Sequence, residues 1–377
     1  MKTYMFPGQG SQAKGMGGDL FDEFSDLTAK ADKILGYSIK ELCLEDPNKE
    51  LGLTQFTQPA LYVVNALSYF KKVQETGEKP DFVAGHSLGE FNALLAADVY
   101  DFEAGLKLVK KRGELMSEAS EGAMAAIINS NEEEIRQILK DNNLNNIDLA
   151  NFNSPSQIVI SGLKDEIKAA QSCFQQGKIL YYPLNTSGAF HSRFMKPSQE
   201  KFATYLKKFK LADPQIPVIA NVTAREYKND EIAHNMASQI AGAVRWSESV
   251  QYLNEKGNME FVEIGHGNVL AKMVDKILKE TAKAAAADKP AEAAAKPATV
   301  AADKPAAAPT GKVNAKAAEK VSNWNKQHPV GTKVKSLVMD YDNLETRSEA
   351  VVLFGHRAAV YMKDYNGYFD LDEISPV

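Results

Sequence analysis

The pentapeptide Gly85-His86-Ser87-Leu88-Gly89 places a serine between two glycines, directly after the apolar run Phe82-Val83-Ala84. This G-x-S-x-G pattern is typical of a nucleophile elbow, a tight turn between a strand and a helix that exposes the serine hydroxyl. Glycines flank the serine because a Cβ at either position would collide with neighbouring backbone. The N–H of Leu88 opens the next helix and is expected to face a developing oxyanion. The pattern indicates acyl chemistry without defining the acyl group or its acceptor.

A serine nucleophile requires a base, which is usually histidine, and six histidines are present. His86 adjoins Ser87, but its side chain is expected to point away from the serine hydroxyl. His191 lies where a predicted small subdomain rejoins the larger one, and residues in such a cleft can be catalytic. We therefore predict His191 as the base, ahead of the other four histidines, which are His234, His266, His328 and His356.

The serine and the histidine belong to a predicted α/β domain over residues 1 to about 280. Its larger part is expected to be hydrolase-like, with a parallel sheet and the nucleophile elbow. A helix is predicted from residue 59 to about residue 74, because proline is tolerated at the first helical position. Between residues 123 and 184 the order βαββαβ predicts a ferredoxin-like small subdomain, inserted at residues 122–190.

The composition changes near Thr281, and residues 281–320 are dominated by alanine, lysine and proline. This segment has too few large apolar residues to form a core, so it is predicted to be a disordered or extended linker. Short apolar runs in residues 321–377 predict a small β-rich module. A flexible tether with a terminal domain can raise the effective concentration near a partner, so docking is the favoured interpretation. The alternative is an inert appendage.

Composition and charge exclude several other classes of protein. The net charge of −5 argues against a nucleic-acid-binding protein, although local basic patches remain open. The two cysteines, Cys43 and Cys173, form no metal-ligand pattern, and free thiols are favoured over a disulfide. No signal-peptide pattern is seen, and no apolar run approaches the roughly 18–20 residues of a membrane span. We therefore expect a cytoplasmic protein, without membrane or metal, and a monomer.

Seven short motifs occur along the chain in a characteristic order. They are Phe6-Pro7-Gly8-Gln9-Gly10-Ser11-Gln12, Gln58-Pro59-Ala60, Gly85-His86-Ser87-Leu88-Gly89-Glu90, Lys111-Arg112-Gly113, Met124-Ala125-Ala126, Asn153-Ser154-Pro155 and Gly265-His266-Gly267-Asn268-Val269-Leu270. Together they resemble the malonyl-CoA:acyl carrier protein transacylase family, and most of all the trans-acting acyltransferases of modular polyketide synthases. The resemblance covers residues 1 to about 280, and the ordered set is far more specific than any single motif.

The resemblance implies a role for each residue of the site. Ser87 would carry the malonyl group as an oxygen ester, and His191 would be general base and then general acid. The family orients this histidine with a backbone carbonyl, which would lie in the segment around Arg245, where many relatives have glutamine. Gln9 and Leu88 would supply the two N–H donors of the oxyanion hole.

Two further residues would select the substrate. Arg112 would hold the free carboxylate, because a guanidinium matches a carboxylate with two parallel hydrogen bonds. Phe190 would narrow the pocket beside the malonyl C2, which favours malonyl over methylmalonyl. One methyl group is worth only about 1–3 kcal/mol, so this preference is expected to be incomplete. No bound cofactor is implied, since the reaction uses malonyl-CoA and the phosphopantetheine arm of an acyl carrier protein.

Two alternatives remain at this stage. Acyltransferase-like hydrolases that clear stalled carrier proteins share the elbow and the histidine. Arg112 argues against such an activity, because a neutral acyl chain offers it no partner. Malonyl loading for fatty-acid synthesis is the other alternative, and only the resemblance separates it from polyketide supply.

Overall fold

The computed structural model describes residues 1–119, 121–174, 177–287, 315–336, 344–346, 348–353, 357–363, 368–372 and 374–376. Its contacts divide the chain into two units, Met1–Ala291 and Glu292–Val377. The strands of the first unit are β1 (Lys2–Phe6), β2 (Phe82–Gly85), β3 (Gly122–Ile128), β4 (Ile147–Ser154), β5 (Gln157–Leu163), β6 (Leu180–Pro183), β7 (Val218–Ile219) and β8 (Glu260–Glu263).

The helices of this unit surround two separate sheets. They are α1 (Leu20–Glu23), α2 (Ser25–Leu35), α3 (Ile39–Leu44), α4 (Thr54–Thr76), α5 (Gly89–Ala96), α6 (Phe102–Ser117), α7 (Glu132–Asp141), α8 (Lys164–Phe174), α9 (Lys196–Leu206), α10 (Ile232–Ser238), α11 (Trp246–Glu255) and α12 (Val269–Ala287). Short 3-10 helices lie at Arg193–Met195 and Asn229–Glu231.

The larger sheet is parallel, with the strand order β7-β2-β1-β8. Its two inner strands, β1 and β2, are apolar and buried, as expected for a parallel sheet covered on both faces. Phe6 and Gly85 are paired at their carboxyl ends, so the loop after β1 and the elbow after β2 leave the sheet side by side. The predicted parallel sheet and nucleophile elbow are confirmed.

The smaller sheet is antiparallel, with the strand order β4-β5-β3-β6. Helices α7 and α8 follow β3 and β5, which gives the predicted βαββαβ order of a ferredoxin-like fold. Residues such as Ile127, Ile160 and Phe174 form an apolar core of its own. The predicted ferredoxin-like subdomain is therefore confirmed as a fold, while its boundaries at residues 122–190 stay a prediction.

Strand β4 connects the small subdomain to the larger part of this unit. Phe152 N donates to Val244 O at 2.9 Å, and Val244 N donates to Ala150 O at 2.8 Å. At the β4–β5 turn, Ser154 Oγ and Ser156 Oγ donate to the carboxylate of Glu280 in α12, at 3.1 and 2.6 Å. These contacts fix the small subdomain to the segment that precedes α11 and to α12.

Helix α4 begins earlier than the sequence predicts. It starts at Thr54, and Pro59 lies inside the helix rather than at its first position. Thr57 Oγ1 donates to the carbonyls of Leu51 and Leu53 at 2.6 and 3.0 Å, which satisfies backbone acceptors just before the first turn. The helix is buried along most of its length from Thr54 onward, so packing outweighs the preference of proline for the first position.

The second unit contains α13 (Ala315–Gln327), β9 (Lys333–Ser336), β10 (Leu344–Glu345), β11 (Val351–Leu353), β12 (Arg357–Tyr361), β13 (Tyr368–Asp370) and β14 (Ile374–Pro376). The strands form two antiparallel sheets, ordered β10-β9-β14 and β11-β12-β13. Val334, Leu344, Val360 and Met362 belong to a shared buried core. The predicted β-rich module is confirmed.

The predicted linker at residues 281–320 is partly helical. Helix α12 continues to Ala287 and α13 begins at Ala315, because both segments are rich in alanine, a strong helix former. Residues 288–314 and His356 lie outside the described residues. In the described part of the chain, no helix has the length and apolar character needed to cross a bilayer.

Candidate active site

The elbow holds Ser87 in a backbone conformation that residues other than glycine rarely adopt. Ser87 has a φ of +50°. A Cβ added to Gly85 would lie 1.9 Å from the carbonyl carbon of Gly89, and one added to Gly89 would lie 1.9 Å from the carbonyl oxygen of Phe6. The two glycines are therefore required by close backbone packing, as the sequence predicts.

The structure brings Ser87 and His191 together, although they are far apart in sequence. Ser87 Oγ lies 2.8 Å from His191 Nε2. His191 Nδ1 lies 2.8 Å from the carbonyl oxygen of Gln239 and 3.1 Å from that of Gly242. Because a carbonyl oxygen only accepts, Nδ1 carries the proton and Nε2 is free to accept the proton of the Ser87 hydroxyl.

The electrostatic surroundings keep this histidine neutral. Burial, and then the nearby positive charge of Arg112, lower the pKa of His191 from 6.5 to about 3. A neutral imidazole at neutral pH is the form that can act as a base. His86 is oriented differently, since its Nε2 lies 2.9 Å from Asn153 Oδ1, and it points away from the hydroxyl as expected.

The expectation that Arg245 orients the histidine is wrong. The carbonyl of Arg245 accepts from Ser249 N at 3.0 Å and from Ser249 Oγ at 2.9 Å. Arg245 lies at the N-terminus of α11, so its carbonyl is directed along that helix and takes part in its first turn. His191 is oriented instead by the carbonyls of Gln239 and Gly242, which follow the end of α10.

Arg112 projects from α6 into the base of the same cleft and is completely buried. Its Nη2 donates to Ser87 Oγ at 3.1 Å and to Gln239 Oε1 at 2.7 Å, and its Nη1 donates to Gln58 Oε1 at 2.7 Å. The Nε atom has no hydrogen-bond partner within the described residues. Burial lowers the pKa of Arg112 to about 10, which leaves the guanidinium charged at neutral pH.

The remaining predicted residues also line the cleft, which encloses about 80 Å³. Gln9 follows β1 and Leu88 follows the nucleophile, and neither backbone N–H donates to another protein group in the described residues. A Cβ on Gly8 would lie 2.3 Å from the His86 carbonyl oxygen, so the loop after β1 packs directly on the elbow. Phe190 is buried in the wall of the cleft, next to His191.

Four polar residues of the site were not assigned by sequence reasoning. Asn221 Oδ1 accepts from Ser87 N at 2.8 Å, while Gln239 Nε2 donates to Ser87 O at 2.6 Å and to Glu90 Oε2 at 2.6 Å. Gln58 and Glu90 stand within motifs quoted above, so their motifs could have indicated them. Asn221 and Gln239 belong to none of the quoted sequence motifs. Only the folding of the chain brings them to the elbow, so the sequence gives no signal for them.

Within the described residues, no group of three or more histidine, cysteine, aspartate or glutamate side chains is placed to hold a metal ion. Cys43 and Cys173 are free thiols.

A serine hydroxyl bonded to a neutral histidine, on an elbow at the end of a parallel sheet, defines a serine-dependent acyl-transfer enzyme. The chain belongs to the acyl transferase domain family, whose model matches residues 3–328. It is 56% identical over 282 residues to a polyketide biosynthesis malonyl CoA-acyl carrier protein transacylase of Bacillus subtilis, covering 74% of this chain and 98% of that protein. The resemblance predicted from the sequence motifs is confirmed.

Solved structures show the same similarity. A malonyl CoA-acyl carrier protein transacylase from Burkholderia pseudomallei is 58% identical, with a TM-score of 0.73 over 74% of this chain and 98% of that one. A malonyl-transacylase solved in complex with its type II polyketide synthase acyl-carrier protein is 35% identical. Its TM-score is 0.70, over 74% of this chain and 93% of that chain.

Proposed function

We propose that this protein transfers the malonyl group from malonyl-CoA to the phosphopantetheine thiol of an acyl carrier protein, through an ester on Ser87. The observation that carries the proposal is the guanidinium of Arg112, buried at 3.1 Å from Ser87 Oγ. A fixed positive charge at this distance suits an acyl group that ends in a carboxylate. The activity corresponds to malonyl-CoA:acyl carrier protein transacylase.

In the first half-reaction, Ser87 Oγ attacks the thioester carbonyl while His191 Nε2 takes the hydroxyl proton. The C–S bond breaks, and coenzyme A leaves with the proton that His191 returns to its sulfur. In the second half-reaction, His191 takes the proton of the carrier thiol, and the thiolate attacks the Ser87 ester. The C–O bond breaks, and His191 returns the proton to Ser87 Oγ, which restores the enzyme.

The cleft supports further roles around the ester. The unpaired N–H groups of Gln9 and Leu88 would donate to the oxyanion that forms in each half-reaction. Phe190 would leave little room for a branch at the malonyl C2, so malonyl is favoured over methylmalonyl. The carboxylate of the substrate would bind the Arg112 guanidinium, whose Nε has no partner within the described residues.

Polyketide biosynthesis is the favoured pathway class, with the enzyme acting in trans on carrier domains of a synthase. The similarity to a polyketide biosynthesis transacylase supports this assignment. The second unit would then dock to the synthase and raise the effective concentration of the enzyme near its carrier domains. The absence of a bound cofactor, the monomeric state and the cytoplasmic location stay predictions.

Transfer and hydrolysis are separated by one incubation with labelled malonyl-CoA, performed with and without holo carrier protein. We expect labelled carrier protein as the main product, with free malonate forming slowly when the carrier is omitted. Arg112 supports this outcome, since a hydrolase for neutral acyl chains has no use for a buried cation. Rapid release of free malonate without acylated carrier protein would identify a hydrolase instead.

A further inference from the structure

Gln239 lies between two buried charged groups beneath the cleft. Its Oε1 accepts from Arg112 Nη2 at 2.7 Å, and its Nε2 donates to Glu90 Oε2 at 2.6 Å. Arg112 and Gln239 are 0% exposed and Glu90 is 1% exposed, so all three are shielded from bulk solvent. The amide of Gln239 bridges the two charged groups.

The chemistry of its two neighbours fixes the orientation of this amide. A guanidinium only donates hydrogen bonds and an ionised carboxylate only accepts them, so the amide oxygen must face Arg112 and the amide nitrogen must face Glu90. The other carboxylate oxygen of Glu90 accepts from Tyr227 Oη and from Asn221 N. Glu90 is therefore held in place on one side and faces the arginine across the amide on the other.

The two opposite charges attract one another, and little solvent screens this attraction. Burial raises the pKa of Glu90 to about 7, while hydrogen bonds from Tyr227 and Gln239 and the charge of Arg112 favour its ionised form. Above pH 7 the site thus contains a carboxylate that can compete with the substrate for the guanidinium. A direct ion pair would occupy the N–H groups that a substrate carboxylate needs.

From this geometry we propose that Gln239 is a positioning residue that prevents Arg112 from pairing with Glu90 and keeps the guanidinium beside Ser87 for a carboxylate-bearing acyl group. The inference rests on the proposed role of Arg112. The contact of Gln239 with His191 is made by its main-chain carbonyl, so a side-chain substitution leaves the orientation of the base in place. Substrates with and without a carboxylate should therefore respond differently.

The test measures kcat/KM for Ser87 acylation at pH 8 with malonyl-CoA and with acetyl-CoA, which lacks the carboxylate. Methionine at position 239 keeps the length of the side chain but provides no amide. We expect Gln239→Met to lower the malonyl-to-acetyl ratio about tenfold, whereas the loss of its hydrogen bond to Ser87 O should affect acylation by both donors alike. Tyr100→Phe is the matched control. It removes a different buried hydrogen bond, from Tyr100 Oη to Phe91 O in α5, the helix that also carries Glu90, and it should leave the malonyl-to-acetyl ratio unchanged.

The double variant Glu90→Gln/Gln239→Met tests the mechanism. It lacks the carboxylate that would capture Arg112, so its ratio should return to within about threefold of the Glu90→Gln value. An unchanged ratio in Gln239→Met, or a double variant as impaired as the single one, would overturn the inference. If Gln239→Met does not fold, Gln239→Leu, which also lacks the amide, replaces it in both comparisons.

The Arg112→Ala variant distinguishes failure of the proposed function from failure of the positioning role of Gln239. If Arg112→Ala leaves the malonyl-to-acetyl ratio unchanged, the carboxylate site itself is wrong, and the role of Gln239 is rejected with it. If Arg112→Ala lowers the ratio but Gln239→Met does not, the carboxylate site stands and only the positioning role is rejected.

Discussion

At the scale of single residues, Arg112 has the contacts expected of a group that selects between acyl donors. Replacing it with alanine removes the only positive charge that lies beside Ser87 in the described residues. We expect Arg112→Ala to lower kcat/KM for malonyl-CoA about 100-fold, the factor for losing roughly 2.7 kcal/mol of charge-assisted hydrogen bonds. Acetyl-CoA should be affected far less, so its relative use rises.

Steady-state acylation with both donors checks this prediction, and Arg112→Lys is the control. Lysine retains the charge but lacks the planar fork, so it should restore only part of the malonyl activity. Equal loss of both donors in Arg112→Ala would indicate general damage to the cleft, which contradicts the proposed role.

The low pKa of His191 has a consequence for stability. In the unfolded chain this histidine takes up a proton near pH 6.5, whereas in the folded chain burial and Arg112 lower its pKa to about 3. The unfolded state therefore binds more protons between these values, and the stability that His191 contributes is lost as the pH falls from 6.5 toward 3. His191→Gln removes this contribution.

Urea unfolding at pH 7 and pH 5 measures the contribution of His191 to the free energy of unfolding. Between these two pH values, the free energy of unfolding of the wild type should fall by about 2 kcal/mol more than that of His191→Gln. Parallel pH dependence in the two proteins would mean that His191 titrates at its ordinary pKa, which would place it outside the buried site described above.

At the scale of elements, the elbow depends on glycine at position 89. A Cβ there would lie 1.9 Å from the carbonyl oxygen of Phe6, which is backbone of the adjacent strand and cannot move freely. We expect Gly89→Ala to lower the free energy of unfolding by about 3 kcal/mol, although alanine is favoured over glycine in a helix by roughly 1 kcal/mol. Close packing outweighs the helix preference.

Gly52→Ala is the matched control, because a Cβ on Gly52 meets no atom within 4 Å. Its free energy of unfolding should differ from the wild type by less than about 0.5 kcal/mol. If Gly89→Ala were as stable as Gly52→Ala, the contact between the elbow and β1 would be wrong.

The sequence predicts the helices and strands near the elbow better than it predicts the contacts between those elements. The flanking glycines indicate the elbow, and apolar periodicity indicates the ferredoxin-like fold, because both are local patterns. Pro59 is misleading, since its local preference for a helix start is overridden by the burial of α4. The sequence places the carbonyl that orients His191 at Arg245, which is wrong because the approach of Gln239 and Gly242 to His191 depends on tertiary packing.

At the scale of the whole molecule, the second unit is proposed to act in docking. A shortened chain should end at Ala287 rather than at residue 280, since α12 extends to Ala287 and Glu280 binds Ser154 and Ser156. We expect this chain to form the Ser87 ester at the wild-type rate. Its transfer to carrier domains within the cognate synthase should fall about tenfold or more, because the effective concentration is lost.

Transfer to an excised carrier domain, compared with transfer to the intact synthase, provides the control. If the second unit docks to the synthase, the shortened and full-length chains should differ in transfer rate only with the intact synthase. Unchanged transfer to every cognate carrier would reject docking and favour an inert appendage.

Intact mass spectrometry of the protein after brief incubation with malonyl-CoA shows whether Ser87 carries the malonyl group. We expect a single malonyl adduct on the wild-type chain, its absence in Ser87→Ala, and its disappearance from the wild type when holo carrier protein is added. A malonyl adduct that persists in Ser87→Ala, or a wild-type chain that acquires none, would contradict transfer through an ester on Ser87.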